Sequence, residues 1–178
     1  GAVGAAGTAT SVAGIPFYRG DGNNSSIYTH DVSGTDSTAQ YNTAYGINAL
    51  DAITTGDKNT AIGNTAGSAL TEATDSVLIG NEAGAAITTG VKNVAVGSFA
   101  LDASNTGSEN TAIGHQALTA DTKGGRNVAV GHGTLLNQNF TSATSSYNIA
   151  VGYNAGNSIT TGQSNTLIGA LAGDGFDT

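Results

Sequence analysis

Asn93-Val94-Ala95-Val96-Gly97 returns as Asn110-Thr111-Ala112-Ile113-Gly114 and again as Asn127-Val128-Ala129-Val130-Gly131, at the same offset each time. Working outward from these strings, the closing glycine falls in one column at Gly46, Gly63, Gly80, Gly97, Gly114, Gly131, Gly152 and Gly169. The step from one glycine to the next is seventeen places throughout, except from Gly131 to Gly152, where it is four longer. A fixed period of this length marks a repeat architecture, in which each unit buries its apolar face only by stacking on its neighbours.

The units begin at Asn42, Asn59, Ser76, Asn93, Asn110, Asn127, Asn148 and Asn165, so column one is Asn in seven of eight. Column two is always β-branched: Thr43, Thr60, Val77, Val94, Thr111, Val128, Ile149 and Thr166. Column four is Tyr45 and then only Ile or Val: Ile62, Ile79, Val96, Ile113, Val130, Val151 and Ile168. Such residues two apart read as a short strand on a pleated surface. The sequence therefore predicts one strand here in every unit, with columns two and four pointing into the core. The column-five glycine ends it, where the turn needs positive φ or close backbone approach. Three residues later comes a small column, Ala49, Ala66, Ala83, Ala100, Ala117, Thr134, Ala155 and Ala172, followed by Leu or Gly. The strings Ile53-Thr54-Thr55-Gly56, Ile87-Thr88-Thr89-Gly90 and Ile159-Thr160-Thr161-Gly162 predict a second strand and a second turn. The fold class that follows is all-β, a parallel β-solenoid of 17-residue coils spaced about 4.8 Å apart and roughly 38 Å tall. A helical solenoid is excluded: no window repeats apolar residues at helical spacing, and each glycine inside a helix would cost about 1 kcal/mol. The column-one Asn suits a stacked ladder or a turn that its side chain bonds, a structural role rather than a ligand-binding one.

Column three is apolar throughout: Ala44, Ala61, Leu78, Ala95, Ala112, Ala129, Ala150 and Leu167. If columns two and four fill the core, column three is an apolar stripe on the surface, and such stripes mark interfaces. The expectation is a parallel homo-oligomer, with three chains the favoured number. The alternative is a single flattened solenoid with Ala on both faces.

Composition narrows the function. Thirteen acids against five bases give a net charge of −8, which excludes electrostatic binding of nucleic acid. There is no Cys, hence no disulfide, thiol chemistry or Cys-ligated metal. No apolar run approaches the ~20 residues that span a bilayer, so no membrane insertion is expected. The chain begins at Gly1 rather than Met, and is expected to be soluble and either processed or a fragment, with any targeting segment outside it. No nucleophile elbow, phosphate loop or dinucleotide fingerprint occurs, and Asp21-Gly22-Asn23-Asn24 lacks the alternating ligands and distal Glu of a calcium loop. The expectation is a non-enzyme without cofactor.

Asn59-Thr60-Ala61-Ile62-Gly63 and the equivalent strings at 93–97 and 127–131 resemble the Asn-Ser-Val-Ala-Ile-Gly repeat in the head of YadA-type trimeric autotransporter adhesins. That resemblance implies a left-handed parallel β-roll in which three chains form one trunk. The adhesin repeat is shorter than the period found in this chain. The longer spacing, with phrases such as Ala83-Gly84-Ala85-Ala86-Ile87-Thr88-Thr89-Gly90, looks more like repeats in phage tail-fibre and appendage proteins. The resemblance covers residues 42–173 and speaks to architecture more than function.

Residues 1–41 do not repeat and read as a lead-in, with Ile15-Pro16-Phe17-Tyr18 a candidate cap on the first coil; residues 42–173 are the solenoid, and 174–178 its exit. His115 and His132 both follow the turn glycine of adjacent coils, so stacking places them in one column. A metal there would need that column to face a trimer axis, and its mixed membership, with Ile47, Asn64, Asn81, Ser98, Tyr153 and Ala170, favours unliganded surface histidines. The sixth unit carries four extra residues within 135–147. Insertions in solenoids form loops on one face, which makes Phe140 and Tyr147, with nearby Phe99 and Tyr153, the candidate receptor-binding residues. The other reading has these rings merely covering coil edges. The function expected is a structural and adhesive segment of an extracellular trimeric fibre, foremost a phage tail fibre in host attachment, its partners being itself and a host surface glycan or protein. The alternatives are a bacterial trimeric adhesin head, an ice-binding solenoid built on Thr54, Thr88 and Thr160 but interrupted by Glu72 and Lys123, and a solenoid polysaccharide depolymerase.

Overall fold

The structure, a computed structural model, describes residues 10–12, 15–19, 26–29 and 37–174. The Gly/Ala tract at 1–7, the Asp21-Gly22-Asn23-Asn24 string and residues 175–178 lie outside the described residues. The chain is an all-β parallel solenoid of about eight coils, each one repeat long, and the described residues contain no helix. Each coil contributes one three-residue strand at columns two to four: β4 (Thr43–Tyr45), β5 (Thr60–Ile62), β6 (Val77–Ile79), β7 (Val94–Val96), β8 (Thr111–Ile113), β10 (Val128–Val130), β12 (Ile149–Val151) and β13 (Thr166–Ile168). Neighbouring strands pair in parallel with equivalent residues in register, as Val94 with Thr111 and Ala95 with Ala112. Ahead of them, β1 (Thr10–Val12) and β2 (Ile15–Arg19) form an antiparallel pair, and β2 adds antiparallel to β3 (Ile27–Tyr28), which pairs in parallel with β4. The sheet edge at the first coil is thereby occupied, which denies that edge to another chain.

The facing of the strands is the reverse of the sequence expectation. Column three points inward: Ala44, Ala61, Leu78, Ala95, Ala112, Ala129 and Ala150 are buried within the single chain, and Leu167 partly so. Columns two and four point outward, so Ile62, Ile79, Val96, Ile113, Val130 and Val151 form no buried row. Ile62 and Ile113 are each 39% exposed and Tyr45 is 49% exposed. The physical reason is the narrowness of the coil. Its interior must also hold the small column after the turn and the Leu/Gly column beside it, which leaves room opposite for Ala or an occasional Leu. Two rows of β-branched side chains do not fit there.

Volume is exchanged within this thin core. Where the place four after the glycine is Gly67, Gly84 or Gly156, the place three further on is Leu70, Ile87 or Ile159; where it is Leu101, Leu118 or Leu135, that place is Ser104, Asp121 or Gln138. The first coil keeps a large residue at both places, Leu50 and Ile53. A Cβ on Gly84 would lie 2.8 Å from both Leu78 Cδ2 and Ile87 Cδ1. Complete burial of a side chain such as Leu78 contributes about 2 kcal/mol.

Among the described residues the predicted second strand is absent. The Ile-Thr-Thr-Gly segments are bends, and the second face is held by stacked turns, as in Thr54 N to Thr71 O at 3.1 Å and Thr71 N to Thr88 O at 3.1 Å. The exception is the short parallel pair of β9 (Gly124–Gly125) with β11 (Thr144–Ser145), made by the insertion. Turning a chain this tightly requires left-handed residues at fixed places. The residue before column one, from Tyr41 to Ser164, has φ between 52° and 63° in every coil. The column-five glycines lie between 123° and 143°, and a Cβ on Gly97 would sit 2.5 Å from the carbonyl oxygen of Gly114. Positive φ and close backbone approach thus both apply at that column.

Five of the column-one asparagines, Asn42, Asn59, Asn93, Asn110 and Asn148, close their coils. Asn59 Nδ2 donates to Ala73 O across its own coil at 2.8 Å, and Asn59 Oδ1 accepts from Ser76 N in the next coil at 3.1 Å. Asn93 and Asn110 repeat the pattern onto Gly107 O and Gly124 O. All are buried, so the ladder satisfies backbone groups that water cannot reach.

Candidate functional site

Two surface features stand where the repeat carries unusual side chains. The first is a ladder of rings on the turn that follows the strands. His115 and His132 stack with centroids 5.1 Å apart and planes 19° apart, and His132 stacks in turn on Tyr153 at 5.3 Å and 21°. Phe99 meets His115 edge-on at 6.0 Å. Both histidines and Tyr153 are exposed. A metal bond to imidazole lies in the ring plane, so stacked, near-parallel rings do not converge on one ion within a chain. Among the described residues no group of three or more His, Cys, Asp or Glu is placed to hold a metal. The same column carries Asn64 and Asn81, whose side-chain amides hydrogen-bond at 3.2 Å. It is a stacking column on the outside of the coil.

The second feature is built by the insertion. Its four extra residues change how the coil closes while the rung from Asn148 N to Asn127 Oδ1 is kept: Asn127 Nδ2 donates to Asn110 Oδ1 instead of closing its own coil, and Ser146 Oγ donates to Asn127 Oδ1 at 2.8 Å. Buried polar side chains replace the core aliphatics here. Asp121 Oδ1 accepts from Gly124 N at 2.8 Å, Phe140 N at 3.2 Å and Lys123 N at 3.3 Å, and Asp121 Oδ2 accepts from Gln138 Nε2. Gln138 Oε1 accepts from Asn148 Nδ2 at 2.7 Å. Ser104, Asp121 and Gln138 were not singled out from the sequence; the signal was available, because each stands at the place that is Ile or Leu in the other coils described there.

Outside this network, β9 and β11 border a shallow depression of about 210 Å³, lined by Thr106, Ser108, Glu109, Lys123, Arg126 and Thr144 together with Gly125, Ala143 and Ser145. Arg126 Nε donates to Glu109 Oε2 at 2.9 Å, and Arg126 Nη1 donates to Ser145 Oγ and, at 3.3 Å, to Tyr147 Oη. Its guanidinium carbon lies 5.7 Å from the Tyr147 ring centroid. The hydrogen bond and charge of Glu109, then the Tyr147 side chain, raise the Arg126 pKa above its ordinary value, so Arg126 stays a cation at every working pH.

Of the residues expected to face a receptor, Tyr147 adjoins this depression at 53% exposure, and Tyr153 belongs to the ring ladder with Phe99. The structure does not gather them into one patch. Phe140 is 6% exposed, because its segment is drawn inward by Asp121. The threonines considered for ice binding are also otherwise engaged. Thr54 Oγ1 and Thr71 Oγ1 donate to the carbonyls of Thr71 and Thr88 in the next coils, so the column is Thr54, Thr71, Thr88, and Glu72 stands one place beside it. Comparison with protein-family profiles, curated proteins and solved structures finds no match to this chain.

Proposed function

We propose that the chain is a structural and adhesive segment of an extracellular homotrimeric fibre, foremost a phage tail fibre acting in host attachment, with its coils wound left-handed. The observation that carries this reading is the outward pair of columns. Parallel sheets are normally covered on both faces, yet here Val77, Ile79, Val94, Val96, Val128 and Val130 stand half-buried on the outer face, where among the described residues the strands touch only their in-register neighbours. A stripe of this length and low charge suits other copies of itself stacked in register, each coil against its equivalent. Three such solenoids around an axis make a stiff rod whose length grows by whole coils. The resemblance of the pentapeptides supports as a second reading the head of a bacterial trimeric adhesin, while the 17-residue period supports the phage fibre.

Immunogold electron microscopy with serum raised against the purified chain tests this on the source culture. Gold on thin appendages of virus particles is the expected result. Gold on the bacterial envelope would replace it with the second reading, and gold confined to the cell interior would contradict both.

A further inference from the structure

We infer that the depression beside the sixth-coil insertion is a binding subsite for one uncharged pyranose unit of a surface polysaccharide. This deepens the attachment reading and rests on it. The lining has the chemistry of polyol recognition: hydroxyls on Thr106, Ser108, Thr144 and Ser145, cationic donors on Lys123 and Arg126, and a carboxylate acceptor on Glu109. Thr144 Oγ1 donates to Ser142 O at 3.0 Å and Ser108 Oγ accepts from Val91 N at 3.0 Å, so these oxygens are held in place with lone-pair capacity to spare. Arg126 is fixed by Glu109, Ser145 and Tyr147, which removes most of the entropy cost of ordering it on binding.

Charge selects among saccharides. Lys123 and Arg126 are offset by Glu109 at the rim and by buried Asp121, which accepts from the Lys123 and Gly124 backbone. The site is locally neutral in a chain of net charge −8, which disfavours a polyanion. The Lys123 ammonium forms no ion pair among the described residues and is available to a sugar oxygen. Size sets the unit: about 210 Å³ is below the range of pockets that enclose a drug-sized ligand, and suits one ring of a longer chain lying across the surface. The exposed Tyr147 ring beside Arg126 offers an apolar face to the neighbouring sugar. The β9–β11 pair that borders the depression forms at this one place among the described residues, so the subsite occurs once rather than in every coil.

Saturation-transfer NMR on the full chain, with maltotetraose, cellotetraose, mannotetraose and tetragalacturonate at millimolar concentration, tests this. Transfer to at least one neutral tetrasaccharide is expected, weakened tenfold or more in Kd by Lys123→Ala with Thr144→Ala, two surface changes whose folding is checked by circular dichroism. No transfer to any neutral sugar, transfer to tetragalacturonate alone, or affinity unchanged in the double variant would overturn the inference. The subsite is built within one chain, so the assay reads it whatever the oligomeric state or the outcome of the microscopy.

Discussion

Asp121 and Gln138, at equivalent places in successive coils, are hydrogen-bonded to each other inside the core, Gln138 Nε2 donating to Asp121 Oδ2 at 2.5 Å. The pair occupies places that Ile87 and Ile159 fill with hydrocarbon elsewhere. It provides acceptors for the backbone that the insertion pulls out of register. Asp121→Ala leaves the N–H groups of Gly124 and Phe140 and the Gln138 amide without an acceptor. We expect a loss on the order of 2–4 kcal/mol in urea unfolding. Asp121→Asn keeps an oxygen for the backbone donors but turns its amide nitrogen toward the donor Gln138 Nε2, and is expected to cost less than Asp121→Ala without restoring the wild-type stability.

The asparagine ladder is tested at Asn59. Asn59→Ala strips the partners of Ala73 O and Ser76 N, both out of solvent, and is expected to destabilise by about 2–3 kcal/mol. Asn59→Ser should recover part of this, because Ser76 holds the same column and its Oγ accepts from Asn93 N at 3.2 Å. Equal losses in the two variants would show that stacking contacts, and not the hydrogen bonds, set the requirement.

Turn glycines are separated by a contrast between coils. Gly97→Ala places a methyl 2.5 Å from Gly114 O, whereas at Gly169, in the last coil, a Cβ has nothing within 4 Å. Both positions carry positive φ, 133° and 123°, so both substitutions incur backbone strain. Only Gly97→Ala also forces coils apart. Thermal melting should show a much larger drop in Tm for Gly97→Ala than for Gly169→Ala.

Period, strand position, turn glycine and asparagine ladder were legible in the sequence because each is a column with one narrow physical requirement. The facing of the strand was not. Ala95 lies between Val94 and Val96, all three apolar, so alternation gives the period without its phase. What settles the phase is the width of the coil, seen where Gly67 and Gly84 lie so close to the column-three Leu78 that a Cβ on either would come within 3 Å of its methyls. The Ile-Thr-Thr-Gly segments carry β-branched residues yet bend, because Ile53 and Ile87 are core plugs and the threonines bond the next coil through both N–H and hydroxyl. Of the site, the insertion and Tyr147 were visible as departures from the pattern; Arg126, Glu109 and Lys123 were hidden as ordinary charged residues in variable columns.

The inward facing of column three changes what a mutation there does. Ala112 is fully buried inside its own chain, so Ala112→Glu is expected to unfold the coil rather than dissociate an assembly. The outer face is probed instead at Val96 and Val130, and Val96→Glu with Val130→Glu should leave the single-chain core intact.

Light scattering coupled to size-exclusion chromatography on the wild type and on this double variant addresses the central claim, that the outward β-branched stripe joins copies of the chain. Three copies of the 17.4 kDa chain are expected for the wild type, and a single folded chain with an unchanged circular-dichroism spectrum for the variant. A monomeric wild type at micromolar concentration, or a variant that keeps the wild-type mass, would contradict it.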